Sequence, residues 1–116
     1  MSNFKTLHEV YEELGVTRRA VQGYEKRGLV KPSARNKYGH LLYDDHAQNR
    51  IAMIKDYQRL GFKLKEIESM IDASDELVTA ALERQVIKLR EEREEKTALI
   101  DMANRWIESI RKKGEV

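Results

Sequence analysis

Four short runs and one long one place apolar residues at helical spacing along this chain. Leu7, Val10, Tyr11 and Leu14 stand at i, i+3, i+4 and i+7 and predict an amphipathic helix over residues 6 to 14. Thr6 and Glu9 have the spacing of a capping box at its start. Gly15 suits the left-handed turn that ends a helix, and Thr17 can cap the next one. That second helix stops at Gly28, with Val21 and Tyr24 able to face inward and Arg18, Arg19, Gln22 and Lys26 outward. Helix, glycine turn and helix is the spacing of a helix-turn-helix, a pattern that helical hairpins without DNA also show.

Pro32, Ser33 and Gly39 mark residues 31 to 40 as a loop or tight hairpin, after which Leu41-Leu42-Tyr43 returns as a short strand. A two-stranded ribbon of this size must lean on the helices. Its tip carries Arg35, Lys37, Tyr38 and His40, which suits a wing lying along a phosphate backbone or, equally, a solvated basic loop. Asp44 and Asp45 open a third helix whose Ala47, Ile51, Ile54, Tyr57 and Leu60 form one buried stripe up to Gly61. Residues 62 to 71 follow as a shorter helix with Leu64, Ile67, Met70 and Ile71 inward. Lys63 and Lys65 near its start oppose the helix dipole unless an anion such as a phosphate is close.

No glycine or proline interrupts residues 75 to 113, which predicts one helix of roughly 55 Å. Leu82, Leu89, Lys96, Ala103 and Ile110 form one row of a heptad pattern, and Thr79, Val86, Arg93, Ile100 and Ile107 form the other. The rows are apolar at both ends and charged in the middle. A head of some seventy residues cannot cover such a stripe, so the pattern predicts a homodimer through a paired helix. Leu82, Val86, Leu89, Arg93, Ile100, Ala103, Ile107 and Ile110 are its expected contacts. An antiparallel pair matches apolar ends and lets Arg93 meet partner glutamates, whereas a parallel pair stacks Arg93 on Arg93.

The expected architecture is therefore mainly α: a winged helix-turn-helix of four helices and a small two-stranded wing over residues 1 to 72, then a long coiled-coil dimerisation helix over residues 73 to 116. Charge sharpens this picture. The 116 residues carry a net charge of only +2, but residues 17 to 65 hold 12 lysines and arginines against 4 acidic residues, a net +8. Residues 73 to 116 come to −1. The positive field surrounds the second helix, where a nucleic-acid partner would need it. The absence of cysteine removes disulfides and thiolate metal sites, and no apolar stretch approaches a membrane span, so a cytoplasmic protein without cofactor or metal is expected. An enzyme is not expected, because His8, His40 and His46 are scattered and no matching nucleophile or phosphate loop accompanies them.

Taken together, residues 7 to 71 resemble the N-terminal domain of the MerR family of bacterial transcription regulators, and the long helix resembles that family's dimerisation helix. The resemblance rests on Leu14-Gly15-Val16-Thr17, on Tyr24-Glu25-Lys26-Arg27-Gly28-Leu29-Val30, on Pro32 with Arg35, on Gly39 and Tyr43, and on Leu60-Gly61-Phe62 before Leu64-Lys65-Glu66-Ile67. It implies a dimer that binds a palindromic promoter element in double-stranded DNA, with RNA polymerase as a further partner at the promoter. Arg18, Arg19 and Gln22 would then read base edges, with Thr17 and Tyr24 near the backbone, and Arg35, Lys37, Tyr38, His40, Lys63 and Lys65 would line the phosphates. Three positions depart from the family pattern: Gly23 replaces an aromatic, His40-Leu41 stands where Tyr-Arg is common, and Lys63 replaces a serine. Other readings of the same residues are a winged-helix and coiled-coil protein-interaction module, or a phage or mobile-element DNA-architecture protein.

Overall fold

In the computed structural model, residues 3 to 114 are described and form five helices and three short strands. The chain divides after Ser74 into two compact units. In the first unit α1 (Leu7–Leu14) opens on the expected capping box: the Glu9 amide donates to Thr6 Oγ1 at 3.3 Å and the Thr6 amide to Glu9 Oε1 at 3.1 Å. Gly15, at φ 65°, ends α1 in the left-handed conformation, and α2 (Arg18–Lys26) begins at once behind Thr17. Helix α3 (Asp45–Leu60) is capped by Asp44, whose carboxylate accepts from the Ala47 amide at 2.9 Å, and ends at Gly61 with φ 109°. Helix α4 (Leu64–Met70) is shorter than the apolar spacing suggested.

The expected two-stranded wing is corrected to a three-stranded antiparallel sheet. Strand β1 (Lys5–Thr6) pairs with β3 (Leu41–Tyr43), which also pairs with β2 (Ala34–Arg35), giving the order β1-β3-β2. Lys5 lies opposite Tyr43 and Thr6 opposite Leu42. Thr6 thus caps α1 and closes the sheet. The wing is consequently sewn to the first helix, which supplies the support that a lone ribbon lacks. Two residues are too few to show strand alternation, so the pattern carried no sign of β1.

The core of this unit is Val10 of α1, Val16 of the turn, Val21 and Tyr24 of α2, Leu29 and Val30, Tyr43 of β3, Ala47, Ile51 and Ile54 of α3, Phe62, and Ile67 and Met70 of α4, all buried. Gln48 is buried among them and satisfied, its Nε2 donating to Tyr43 O at 2.8 Å and Asn3 O at 2.6 Å. The second unit is α5 (Asp75–Lys113), 39 residues and about 58 Å of uninterrupted helix. Asp75 and Glu76 sit at its positive end and Arg111, Lys112 and Lys113 at its negative end, where each sign complements the dipole.

Candidate nucleic-acid interface

The turn before α2 is fixed from two sides. Lys55 Nζ of α3 donates to Leu14 O at 2.8 Å, satisfying a carbonyl that the end of α1 leaves open. Thr17 Oγ1 accepts from the Ala20 amide at 3.0 Å. From that start, Arg18, Arg19, Gln22 and Lys26 are exposed while Val21 and Tyr24 are buried. Among the described residues no ion pair or hydrogen bond engages the side chains of Arg18, Arg19, Gln22 or Lys26. A helix face with three cations and one amide is thereby left with all its donors available.

Tyr24 does not stand with them. It is 2 % exposed, and its hydroxyl donates to Gln58 Oε1 at 2.6 Å, so its expected place beside the DNA backbone is corrected to a core position. Burial pushes its phenol above the ordinary range. The side chain that locks α2 onto α3 has no donor left for a phosphate.

The wing is ordered by its own tip. Asn36 Oδ1 accepts from the amides of Tyr38 at 2.9 Å and His40 at 3.0 Å, and Gly39 takes φ 79°, a conformation open to glycine and strained for other residues. Arg35 folds back to donate to Gly39 O at 2.8 Å, bracing the turn with one of its five N–H groups. Lys37 lies over the Tyr38 ring at 5.1 Å, and Tyr38 itself is 71 % exposed. Arg35, Lys37, Tyr38 and His40 are thus gathered on one exposed hairpin. The wing is tied to α2 by the Tyr43 hydroxyl, which donates to Glu25 Oε1. Burial, and then the hydrogen bond and charge of Glu25, push the Tyr43 phenol far above its usual range.

Not every cation of the +8 segment faces a partner. Arg50 donates through Nε to Leu29 O and through both terminal nitrogens to the Asp72 carboxylate at 2.7 and 2.9 Å. Its guanidinium holds Asp72 below the usual carboxylate range. Arg27 pairs with Glu68 at 2.9 Å. Arg27, Arg50 and Lys55 therefore hold the fold together. Lys63 and Lys65 are exposed at the start of α4, where Lys63 is the N-cap residue and its amide donates to Glu66 Oε1 at 2.9 Å. On α5, Val86, Leu89, Arg93, Ile100, Ala103, Ile107 and Ile110 are exposed and Leu82 is half-buried.

Two features were not singled out by spacing. The Tyr43–Glu25 tether joins residues 18 apart and has no local signal. His8, an ordinary surface histidine by sequence, holds the Tyr11 hydroxyl at 2.7 Å on Nδ1 and Glu12 Oε1 at 3.1 Å on Nε2. Its i+3 and i+4 partners could have been noticed from the helix pattern alone.

Comparison with known proteins places these elements. Residues 5–74 match the family model described as MerR HTH family regulatory protein, and residues 48–102 match the one described as MerR, DNA binding. The mercuric resistance operon regulatory protein of Bacillus cereus is 31% identical over 67 residues, covering 58% of this chain and 51% of that protein. The N-terminus of MtaN, the Bacillus subtilis multidrug transporter activator, superposes with a TM-score of 0.70 at 29% identity, covering 89% of this chain and 97% of that one. HiNmlR, a regulator lacking the sensor domain and solved bound to promoter DNA, shares the fold with a TM-score of 0.72 at 20% identity, covering 85% of this chain and 80% of that one. The chain spans about a quarter to a half of the length of the curated relatives it matches.

Proposed function

The chain belongs to the MerR family of HTH regulatory proteins, and from that premise we propose that it is a dimeric, sequence-specific reader of duplex DNA that regulates transcription at a palindromic promoter element. The observation that carries this reading is the α2 face, where Arg18, Arg19, Gln22 and Lys26 stand exposed and unengaged beside an ordered basic wing, while Arg27, Arg50 and Lys55 are spent on the fold. In the major groove Arg18, Arg19 and Gln22 carry the donors that read base edges, arginine suiting guanine and glutamine adenine. Thr17, Arg35, Lys37, Tyr38, His40, Lys63 and Lys65 lie along the backbone and set register. HiNmlR, which shares this fold, was solved on promoter DNA.

Dimerisation follows from α5. Val86 at 44 %, Leu89 at 38 %, Ile100 at 60 % and Ile110 at 65 % exposure are costly in water, and an antiparallel pair sets the apolar end of one helix against the opposite end of its partner. Arg93 then faces partner glutamates. Two α2 helices related by a two-fold axis read an inverted repeat, which is why the element is palindromic. No described helix is long and apolar enough to cross a membrane, and the reading puts the protein in the cytoplasm with its DNA, with RNA polymerase as the partner at the promoter.

The test is selection of bound duplexes from a random DNA pool at near-physiological salt. Enrichment of an inverted repeat supports a dimeric sequence reader. Weak retention that vanishes with salt and enriches nothing overturns it in favour of a protein-interaction module or a non-specific architectural role.

A further inference from the structure

A cleft of about 560 Å³ opens between the start of α1, the start of α2 and the wing, lined by Thr6, His8, Tyr11, Arg18, Gly39 and His40, with apolar Leu7 and Leu41 completing it. None of these lining residues is acidic. Two exposed carboxylates of α1 stand nearby and both are engaged: Glu12 Oε1 lies 3.1 Å from His8 Nε2, and Glu9 accepts from Thr6 N and Thr6 Oγ1 at 3.1 Å. A cleft with an unengaged guanidinium, two imidazoles and a phenol, and no lining carboxylate, selects an anion. It lies where the start of α2 meets the wing, the two elements that the DNA-binding reading sets against the duplex.

We propose that this cleft seats one backbone phosphodiester of the bound duplex, with Arg18 as the fixed cation and the His8–Tyr11 pair as a proton-dependent donor. The proposal rests on the DNA-binding reading above and adds to it a named phosphate seat and a response to pH. It also moves Arg18 from base reading to the backbone.

The proton dependence follows from the hydrogen bonds. In neutral His8, Nε2–H donates to Glu12 Oε1 at 3.1 Å and Nδ1 accepts from the Tyr11 hydroxyl at 2.7 Å, so the phenol proton is used internally. Imidazole changes charge between about pH 5 and pH 8. Once His8 is protonated, Nδ1–H donates to Tyr11 Oη, and the phenol proton is released to point at a phosphate oxygen in the cleft. One added proton on His8 thus creates one new donor on Tyr11. The rings meet edge to face with centroids 5.0 Å apart, which holds the pair in register.

The charged groups around this pair are few. Glu12 and Glu9 share its helix, Arg18 faces it from α2, and His40 faces it from the wing, where Arg35 is held on Gly39 O. Lys5 is paired with Glu13. Glu12 stays on the Nε2 side and Arg18 across the cleft, and a seated phosphate adds a negative charge beside the ring. Binding and protonation therefore promote one another.

The experiment measures the dissociation constant for the selected operator at pH 8 and pH 6, at constant ionic strength, for the wild type, His8→Ala and Tyr11→Phe, with helix content followed by circular dichroism. Wild-type binding is expected to tighten by up to about 6-fold per seat between pH 8 and pH 6, the effect of raising one imidazole pKa by about one unit on binding, and by more for a dimer that fills two seats. Both variants are expected to lose most of that ratio, Tyr11→Phe included, although it keeps the imidazole. If His8→Ala keeps the full ratio, the seat is overturned. If Tyr11→Phe keeps it while His8→Ala loses it, the phenol relay is overturned and His8 acts only as a cation. A wild type that binds no duplex at either pH overturns the DNA-binding reading itself, an outcome distinct from both.

Discussion

Two glycines, one inside α2 and one just past its end, make a matched test of what holds that helix. Gly23 is the sixth of the nine residues of α2, and a Cβ built on it meets nothing within 4 Å. Gly28, just past the end, also has open space, but its φ is +73°. Sterics are therefore absent at both, and only backbone conformation separates them. Alanine inside a helix is favoured over glycine by about 1 kcal/mol, because the unfolded chain loses freedom that glycine would keep. At a left-handed position alanine instead brings its Cβ against the following carbonyl, at about 1 to 2 kcal/mol. Gly23→Ala is thus expected to stabilise by about 1 kcal/mol, raising Tm by about 4 to 8 °C if the small first unit melts as a domain of 60 to 100 residues. Gly28→Ala is expected to lower Tm by a similar or larger amount. The assay is thermal unfolding by circular dichroism at one fixed protein concentration, since dimerisation makes Tm concentration-dependent. Shifts of the same sign in both variants would refute the claim that backbone conformation decides the outcome.

Other consequences can be checked separately. Replacing Arg19 with alanine should cost about 1 to 3 kcal/mol per half-site and relax preference at one base position in each half-site; equal weakening on every sequence would remove Arg19 from base reading. Lys63→Ala should weaken all sequences alike and lower the slope of log affinity against log salt by about 0.9 per protomer, about 1.8 for the dimer, and an unchanged slope would count against its phosphate contact. Tyr43→Phe removes the donor to half-buried Glu25 and should destabilise the first unit by about 1.5 to 3 kcal/mol in urea unfolding, with a loss below about 0.5 kcal/mol showing that the tether matters little. The Ala47 amide, with Ser33, holds the Asp44 carboxyl below its ordinary range, and Arg50 does the same for Asp72. Both contributions are complete above the unfolded carboxylate pKa of about 3.9 and fade as pH falls through the lower folded values. Asp44→Asn, which keeps an N-cap acceptor but cannot titrate, should flatten the fall in stability between about pH 4 and pH 2; an unchanged acid limb would exclude Asp44 as a source.

Local rules made much of this protein legible in its sequence. The capping box at Thr6 and Glu9, the turn at Gly15, the cap Thr17, the helix start at Asp44 and Asp45 and its stop at Gly61, and the uninterrupted run from Asp75 to Lys113 each involve residues a few positions apart, and the structure realises all of them. Three- and fourfold spacing likewise marked Val10, Val21, Ile51, Ile54, Ile67 and Met70 as core. The third strand was not legible, because Lys5 and Thr6 become a strand only when Leu42 and Tyr43 arrive beside them. Tertiary contacts also decided which polar groups are free. Tyr24 looked able to reach a phosphate until Gln58, 34 residues away, took its hydroxyl, and Arg27, Arg50 and Lys55 counted toward a positive field until Glu68, Asp72 and Leu14 O engaged them. A sequence fixes which side chains carry donors and charges by chemistry alone; whether each is spent internally or offered outward depends on long-range partners, which only the folded chain brings within hydrogen-bond distance.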